Sequence, residues 1–184
     1  MVYAFYDSPL GTILILAENS FLTGIYLSSQ NRSLPPDAAQ NNAAPVITKC
    51  ILWLDDYFAG KAPDPSFLPI HPSGTAFQQK VWQMLLQIPY GKTVTYGQLA
   101  KQFPEPMSAQ AIGQAVGKNP LSIIIPCHRV MGTNNHLTGY AGGIENKIAL
   151  LKHEGLDDTS FKYPKKSPWK MISTVIFYFI FLII

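Results

Sequence analysis

Pro126-Cys127-His128-Arg129 sets a soft nucleophile beside an imidazole and a guanidinium. The thiolate is the species that attacks, and a neighbouring base or cation favours its formation. The same four residues also admit a structural reading, because cysteine is among the residues most often buried and inert. No Cys-x-x-Cys or His-x-x-x-His spacing accompanies the pair, so no metal is expected. Cys50 shares helical spacing with Ile47, Ile51 and Leu54. It reads as an apolar-face thiol with a raised pKa and slow chemistry. Two cysteines cannot form a disulfide framework, and no charged stretch followed by an apolar run opens the chain. The expected setting is reducing and cytoplasmic.

The elements that must position Cys127 are legible around it. Ser122 to Ile125 is an apolar run bounded by Pro120 and Pro126, read as a short buried strand or extended segment that delivers the cysteine into a turn. Upstream, Thr75 with Gln78 and Thr95 with Gln98 each have the spacing of a capping box. They open a helix whose stripe is Phe77, Val81, Leu85 and Ile88, and a shorter one that stops before Pro104. Ser108 can cap a further helix, Ala109 to Val116. The last two form either a helix-turn-helix with its second member in a DNA groove or a hairpin that only packs. A final helix runs from Ile144, with Ile148 and Leu151 inward, to a stop at Gly155, and places His153 and Glu154 in its last turn.

The first part of the chain has a different texture. Val2 to Tyr6, Thr12 to Ala17 and Phe21 to Leu27 alternate with turn residues as an antiparallel meander. Residues 28 to 45 read as an exposed loop, and a helix through Ile47, Ile51, Leu54 and Phe58 ends at Gly60 and covers the sheet. A Pro-rich passage follows. The expected division is an N-terminal domain over residues 1 to 65, a linker over 66 to 74, a second domain over 75 to 156 and a tail over 157 to 184.

The formal charge of +3 owes much to four lysines in residues 161 to 184; without them it is 10 minus 11, or −1. Residues 1 to 75 hold three Lys/Arg against six Asp/Glu, whereas 76 to 156 hold seven against three. The second part is compatible with a phosphate-facing surface, but charge alone decides nothing.

Seven blocks in order make the chain from about Gly74 to Leu156 resemble the O6-alkylguanine-DNA alkyltransferases, the methylated-DNA–protein-cysteine methyltransferase family. They begin with Gly74-Thr75-Ala76-Phe77-Gln78-Gln79, Tyr90-Gly91-Lys92-Thr93-Val94 and Tyr96-Gly97-Gln98-Leu99-Ala100. Asn119-Pro120 and Ile125-Pro126-Cys127-His128-Arg129-Val130 follow. Thr138-Gly139-Tyr140-Ala141-Gly142-Gly143 and Leu150-Leu151-Lys152-His153-Glu154-Gly155 complete the set. The first 65 residues match more loosely, through strand content and one helix.

The resemblance implies an α+β protein: an N-terminal antiparallel sheet with a helix, ribonuclease H-like, and a C-terminal winged-helix-like DNA-binding domain. It implies repair of O6-alkylguanine, and of O4-alkylthymine, in double-stranded DNA by one irreversible transfer to Cys127, without a cofactor and by a monomer. His128 would take the thiol proton through a water and Glu154 would orient the imidazole. The base must leave the duplex to reach the sulfur. Tyr96 would push the target phosphate, Tyr140 would stack on the flipped base, Asn119 would brace the cysteine segment, and Arg129 joins the DNA-binding set. One departure stands out: the family's recognition helix offers an Arg where this chain has Gln110, which carries no charge. Two other readings are a non-catalytic alkyltransferase-like lesion binder, which usually has Trp in place of the cysteine, and a cysteine hydrolase, which needs an oxyanion site.

The end of the chain departs further. Met171 to Ile184 is uncharged and follows several lysines and Trp169. Fourteen residues of helix span roughly 21 Å, short of a bilayer core of about 30 Å. A membrane-surface contact remains one reading, but a transmembrane anchor is not expected.

Overall fold

The computed structural model describes residues 1–157, 159 and 161–163. The apolar run from Met171 lies outside the described residues. Three strands form the expected meander: β1 Val2–Ser8, β2 Gly11–Glu18 and β3 Phe21–Leu27, with Ala4 opposite Ile15 and Ile15 opposite Ile25. β2 is buried from Ile13 to Ala17 without alternation: Ile13, Ile15 and Ala17 join the core, while Leu14 and Leu16 on the opposite face lie beside Tyr3, Phe5 and Tyr26 of the flanking strands. The loop expected over 28 to 45 holds one more strand, β4 Ala39–Gln40, parallel to β1 through Val2↔Ala39 and Tyr3↔Gln40. Two residues are too few to carry an apolar pattern, so only backbone pairing marks it. Helix α1, Pro45–Phe58, begins with Pro at its first position, buries Ile47, Cys50 and Leu54 in the core shared with the sheet, and turns Tyr57 toward Tyr90 and Glu154.

The strand order β3-β2-β1-β4 leaves β3 at an edge, and later segments cover it. Leu22 pairs with Ile70 and Ile25 with Leu121 as isolated parallel bridges. Leu22 N donates to Pro69 O at 2.7 Å, Ile25 N to Pro120 O at 2.8 Å and Ser122 N to Ile25 O at 3.1 Å. The edge strand thereby anchors the segment that leads to Cys127. One buried cluster runs without a break from Ala4 and Ile15 through Leu54 and Trp82 to Leu121 and Cys127.

Both expected capping boxes form. Thr75 opens α2, Ala76–Leu86, and Thr95 opens α3, Tyr96–Ala100; in each the Thr hydroxyl accepts from the Gln backbone N–H, and the Gln side chain accepts from the Thr backbone N–H in return. A short parallel pair, β5 Val94–Thr95 with β6 Val130–Met131, joins the start of α3 to the segment after Arg129. Ser108 caps α4, Ala109–Gly117, through Ala111 N at 3.1 Å, and α4 packs on both α2 and α3. The indole of Trp82 donates to Ala115 O at 2.9 Å and fixes that packing. α5, Ile144–His153, ends before Gly155, whose φ is +82°.

The short strand or extended segment expected at Ser122 to Ile125 is instead a turn. Only Leu121 pairs with the sheet, and Ile125 N turns back to Leu121 O at 2.9 Å. An apolar run signals burial whatever its backbone does, and here the burial is met by a turn. Among the described residues, no helix is long and apolar enough to cross a membrane.

Candidate active site

The chain reaches Cys127 through two very tight turns. Ile124 N donates to Ser122 O at 2.9 Å around Ile123, whose φ is +71°, and Cys127 N donates to Ile125 O at 2.7 Å around Pro126 at φ −80°, ψ 62°. The second has the common inverse γ-turn shape, which the proline ring suits. The first puts a buried β-branched residue in the left-handed region, a conformation that persists only where surroundings impose it. Asn119 is one such surrounding. Its Nδ2 donates to Ile125 O at 2.8 Å and to Cys127 Sγ at 3.0 Å, while its Oδ1 accepts from Leu121 N at 3.0 Å. One side chain thus holds both ends of the turn and the thiol. Cys127 itself begins a 3-10 turn, Cys127–Arg129, and is 6% exposed.

Beside it, the fully buried His128 places Nε2 2.7 Å from Glu154 Oε1. Glu154 gathers several further donors. Oε1 also accepts from Tyr57 Oη at 2.8 Å and Arg129 Nη2 at 3.0 Å, and Oε2 accepts from Arg129 Nε at 2.8 Å and Gly91 N at 3.1 Å. Burial by itself would raise the pKa of this carboxyl, but the hydrogen bonds from His128 and Arg129 and the Arg129 charge outweigh burial and hold it far below the usual range. Burial pushes His128 down against the pull of Glu154, so the imidazole rests neutral. An ionised Glu154 accepts, so Nε2 carries the proton and Nδ1 is left with its lone pair. Nδ1 is buried and makes no hydrogen bond among the described residues.

Burial raises the Cys127 pKa, opposed in part by the Asn119 hydrogen bond and the charge of Lys147. The sulfur is therefore a thiol at rest and needs a base to react. Lys147 is a residue that sequence reading missed. It is completely buried, with Nζ donating to Val130 O at 2.6 Å, and burial lowers its pKa from 10.5 to about 8, against the opposing effect of Cys127. The signal was its spacing: Ile144, Lys147, Leu151 and Glu154 follow one inward stripe at helical intervals. Arg129 is placed differently from a DNA-facing residue. Its side chain is 11% exposed, and its three nitrogens bind Glu154 and, at 2.6 Å, Ile88 O.

Tyr140 turns its buried hydroxyl toward the thiol and Ser122 without the alignment of a hydrogen bond to either. Tyr96 accepts from Thr138 Oγ1 at 3.2 Å. Tyr96, Gly97, Gly113 and Thr138 line an open cavity of about 580 Å³ together with the exposed Gln110 of α4. The structure therefore brings Cys127, His128, Glu154, Asn119 and Tyr140 together, with Tyr96 and Gln110 on the side of the helix pair. Among the described residues no cluster of His, Cys, Asp or Glu could hold a metal ion.

Residues 1–72 match the family model for the 6-O-methylguanine DNA methyltransferase ribonuclease-like domain, and residues 76–156 match that for the 6-O-methylguanine DNA methyltransferase DNA binding domain. The chain belongs to the 6-O-methylguanine DNA methyltransferase family. It is similar to the methylated-DNA–protein-cysteine methyltransferase of Haemophilus influenzae, 40% identical over 173 residues that cover 90% of this chain and 97% of that one. The Methanosarcina acetivorans relative of the same name is 41% identical over 84% of this chain and 99% of its own. Among solved structures, Mycobacterium tuberculosis OGT in complex with DNA superposes with a TM-score of 0.77 at 38% identity, over 88% of this chain and 95% of that one. In this member of the methyltransferase family both matched stretches meet at one carboxylate, since Tyr57 lies in the first and His128, Arg129 and Glu154 in the second.

Proposed function

We propose that this protein repairs O6-alkylguanine in double-stranded DNA by moving the alkyl group once, irreversibly, to Sγ of Cys127. The observation that supports this most is the relay: a neutral imidazole bound through Nε2 to an ionised Glu154, beside a thiol that is protonated at rest. The thiol proton passes to His128 Nδ1 through a water, and the thiolate attacks the alkyl carbon. The S–C bond forms as the C–O6 bond breaks, the bonding pair leaves with the guanine oxygen, and the proton taken up by His128 returns through water to neutralise the departing base. Lys147 and the Asn119 amide face the sulfur while it carries charge. Nothing in this sequence of steps regenerates the thiol, so each molecule acts once.

A base stacked in a duplex cannot reach a sulfur that is 6% exposed, so the nucleotide must be flipped into the protein. α3 and α4 form the helix-turn-helix that meets DNA, with Gln110 at the exposed start of α4 and Tyr96 at the wall of the cavity behind it. Tyr140 stacks on the flipped base. The same pocket takes O4-alkylthymine, the protein acts as a monomer, and no cofactor enters the reaction.

Intact-protein mass spectrometry after mixing with a duplex containing O6-methylguanine tests the whole reading. The expected product carries one added methyl group on Cys127, and Cys127→Ser gains none while still binding the duplex. Methylation of Cys50 in place of Cys127, or binding without any gain of mass, would overturn it. The second outcome is the signature of a lesion binder without chemistry.

A further inference from the structure

We propose that Tyr57, from the N-terminal part of the chain, is a positioning residue for the transfer: its hydroxyl sets how much charge Glu154 presents to His128, and thereby the pH at which His128 accepts the thiol proton. The inference rests on the function proposed above. Its basis is a shared atom. Tyr57 Oη and His128 Nε2 both donate to Glu154 Oε1, at 2.8 and 2.7 Å, although the two donors lie on opposite parts of the chain. A hydroxyl that donates to a carboxylate makes a short, charge-assisted bond and withdraws charge from the oxygen it binds. What Tyr57 withdraws is no longer available to stabilise an imidazolium at His128.

The ring is held so that the hydroxyl has little choice of partner. Tyr57 is 1% exposed, stacks on Trp53 at 5.5 Å between centroids and meets Tyr90 edge-on at 5.9 Å. Its carbonyl binds His153 Nε2 at 2.7 Å, which ties the end of α1 to the end of α5 one residue before Glu154. The other groups facing this centre are Arg129 and His128 from the 3-10 turn, Tyr90 and the Gly91 amide from the segment after α2, Lys147 from α5, and, further off, Cys127 and Tyr140. Arg129 anchors the carboxylate with two bonds and a full charge. Tyr57 is a neutral donor outside the relay itself, and its removal changes the charge on Oε1 while leaving the Arg129 ion pair in place.

The test is the pH dependence of single-turnover methyl transfer from duplex O6-methylguanine to Cys127 between about pH 5 and about pH 9, where a histidine base titrates. Tyr57→Phe keeps the ring and loses the donor. Its Glu154 holds the imidazolium better, so the midpoint of the rise in rate should move up by about half a pH unit, a roughly threefold loss of rate on the acidic limb. Replacing Tyr57 with 2,3-difluorotyrosine keeps the bond, strengthens the donor and should move the midpoint down. The fluorinated chain also decides the matter if Tyr57→Phe does not fold. A residue that only filled space would lower stability or active fraction and leave both midpoints where they were. An unmoved midpoint in either folded chain, or movement in the same direction in both, overturns the inference. Failure of the parent protein to methylate Cys127 would instead bring down the proposed function.

Discussion

At the scale of single residues, Lys147 shows function and stability pulling apart. A completely buried ammonium is costly, and burial is what brings its pKa down to about 8. Between that value and the unfolded value of 10.5, the unfolded chain holds a proton that the folded chain has lost. Stability from this group therefore rises with pH across that window, and below about pH 8 the folded state carries the full penalty. Lys147→Met, similar in length and free of charge, should be more stable than the parent near neutrality. The gain is on the order of a few kcal/mol, because each pH unit separating the folded from the unfolded pKa is worth about 1.4 kcal/mol. The difference should close as pH approaches the unfolded value. Cys127 titrates with the opposite slope and feels the charge of Lys147, so thermal melts compared pair by pair across pH isolate the lysine when both chains also carry Cys127→Ser. With Cys127 in place, Lys147→Met should transfer methyl more slowly, because a cation facing the forming thiolate is gone. A variant that is less stable at every pH, or that transfers at the parental rate, contradicts this account.

At the scale of elements, the turn before α3 matters more than its length suggests. Gly91 has a φ of +68°, its N–H binds Glu154 Oε2, and a Cβ there would sit 2.8 Å from the carbonyl oxygen of Glu154. Gly91→Ala combines a strained backbone with a backbone collision, so it should cost about 1 to 3 kcal/mol by chemical denaturation. It should also slow transfer, since the carboxylate must move. Unchanged kinetics would show that Glu154 tolerates displacement. The two capping boxes, the Ser108 cap and the α5 stop were legible in the sequence because each is a local signal within one turn of helix. That Cys127, His128 and Glu154 belong together was legible for a different reason, as residue types matched to a family pattern. What escaped was non-local. The pairing of β4 with β1 has no side-chain signature, and Ser122 to Ile125 has strand-forming residues that a long-range bond to Ile25 and the nearby Asn119 amide bend into a turn. Tyr57 and Lys147 were hidden for the same reason: their spacing shows only that they face inward, and the carboxylate that Tyr57 binds and the carbonyl of Val130 that Lys147 binds come from other parts of the chain.

For the molecule as a whole, the described fold does not stop with α5. Phe161 is 8% exposed and packs with Met131, Leu137 and Leu151, while Lys162 exchanges backbone bonds with the loop through Leu137 N→Lys162 O at 2.9 Å and Lys162 N→Asn135 O at 3.0 Å. The family blocks, which end at Leu156, gave no sign of this. A chain ending at Tyr163 should melt well above one ending at Ser160, by the equivalent of about 2 to 3 kcal/mol for a buried phenylalanine. Equal melting would mean that the contact contributes nothing. The bridges that cover β3 carry a consequence of another kind. Strands that end a sheet are templates for other chains, and here the cover comes from residues 69 to 71 and 120 to 122, on either side of the helical part. If that part comes loose, the β3 edge and the isoleucine run at 123 to 125 are bared together, two surfaces each suited to intermolecular β-pairing. Pro120 and Pro126 stand at either end of the run and limit how far such pairing can spread. Loosening that part should therefore favour self-association, because it removes the same contacts that seat Cys127.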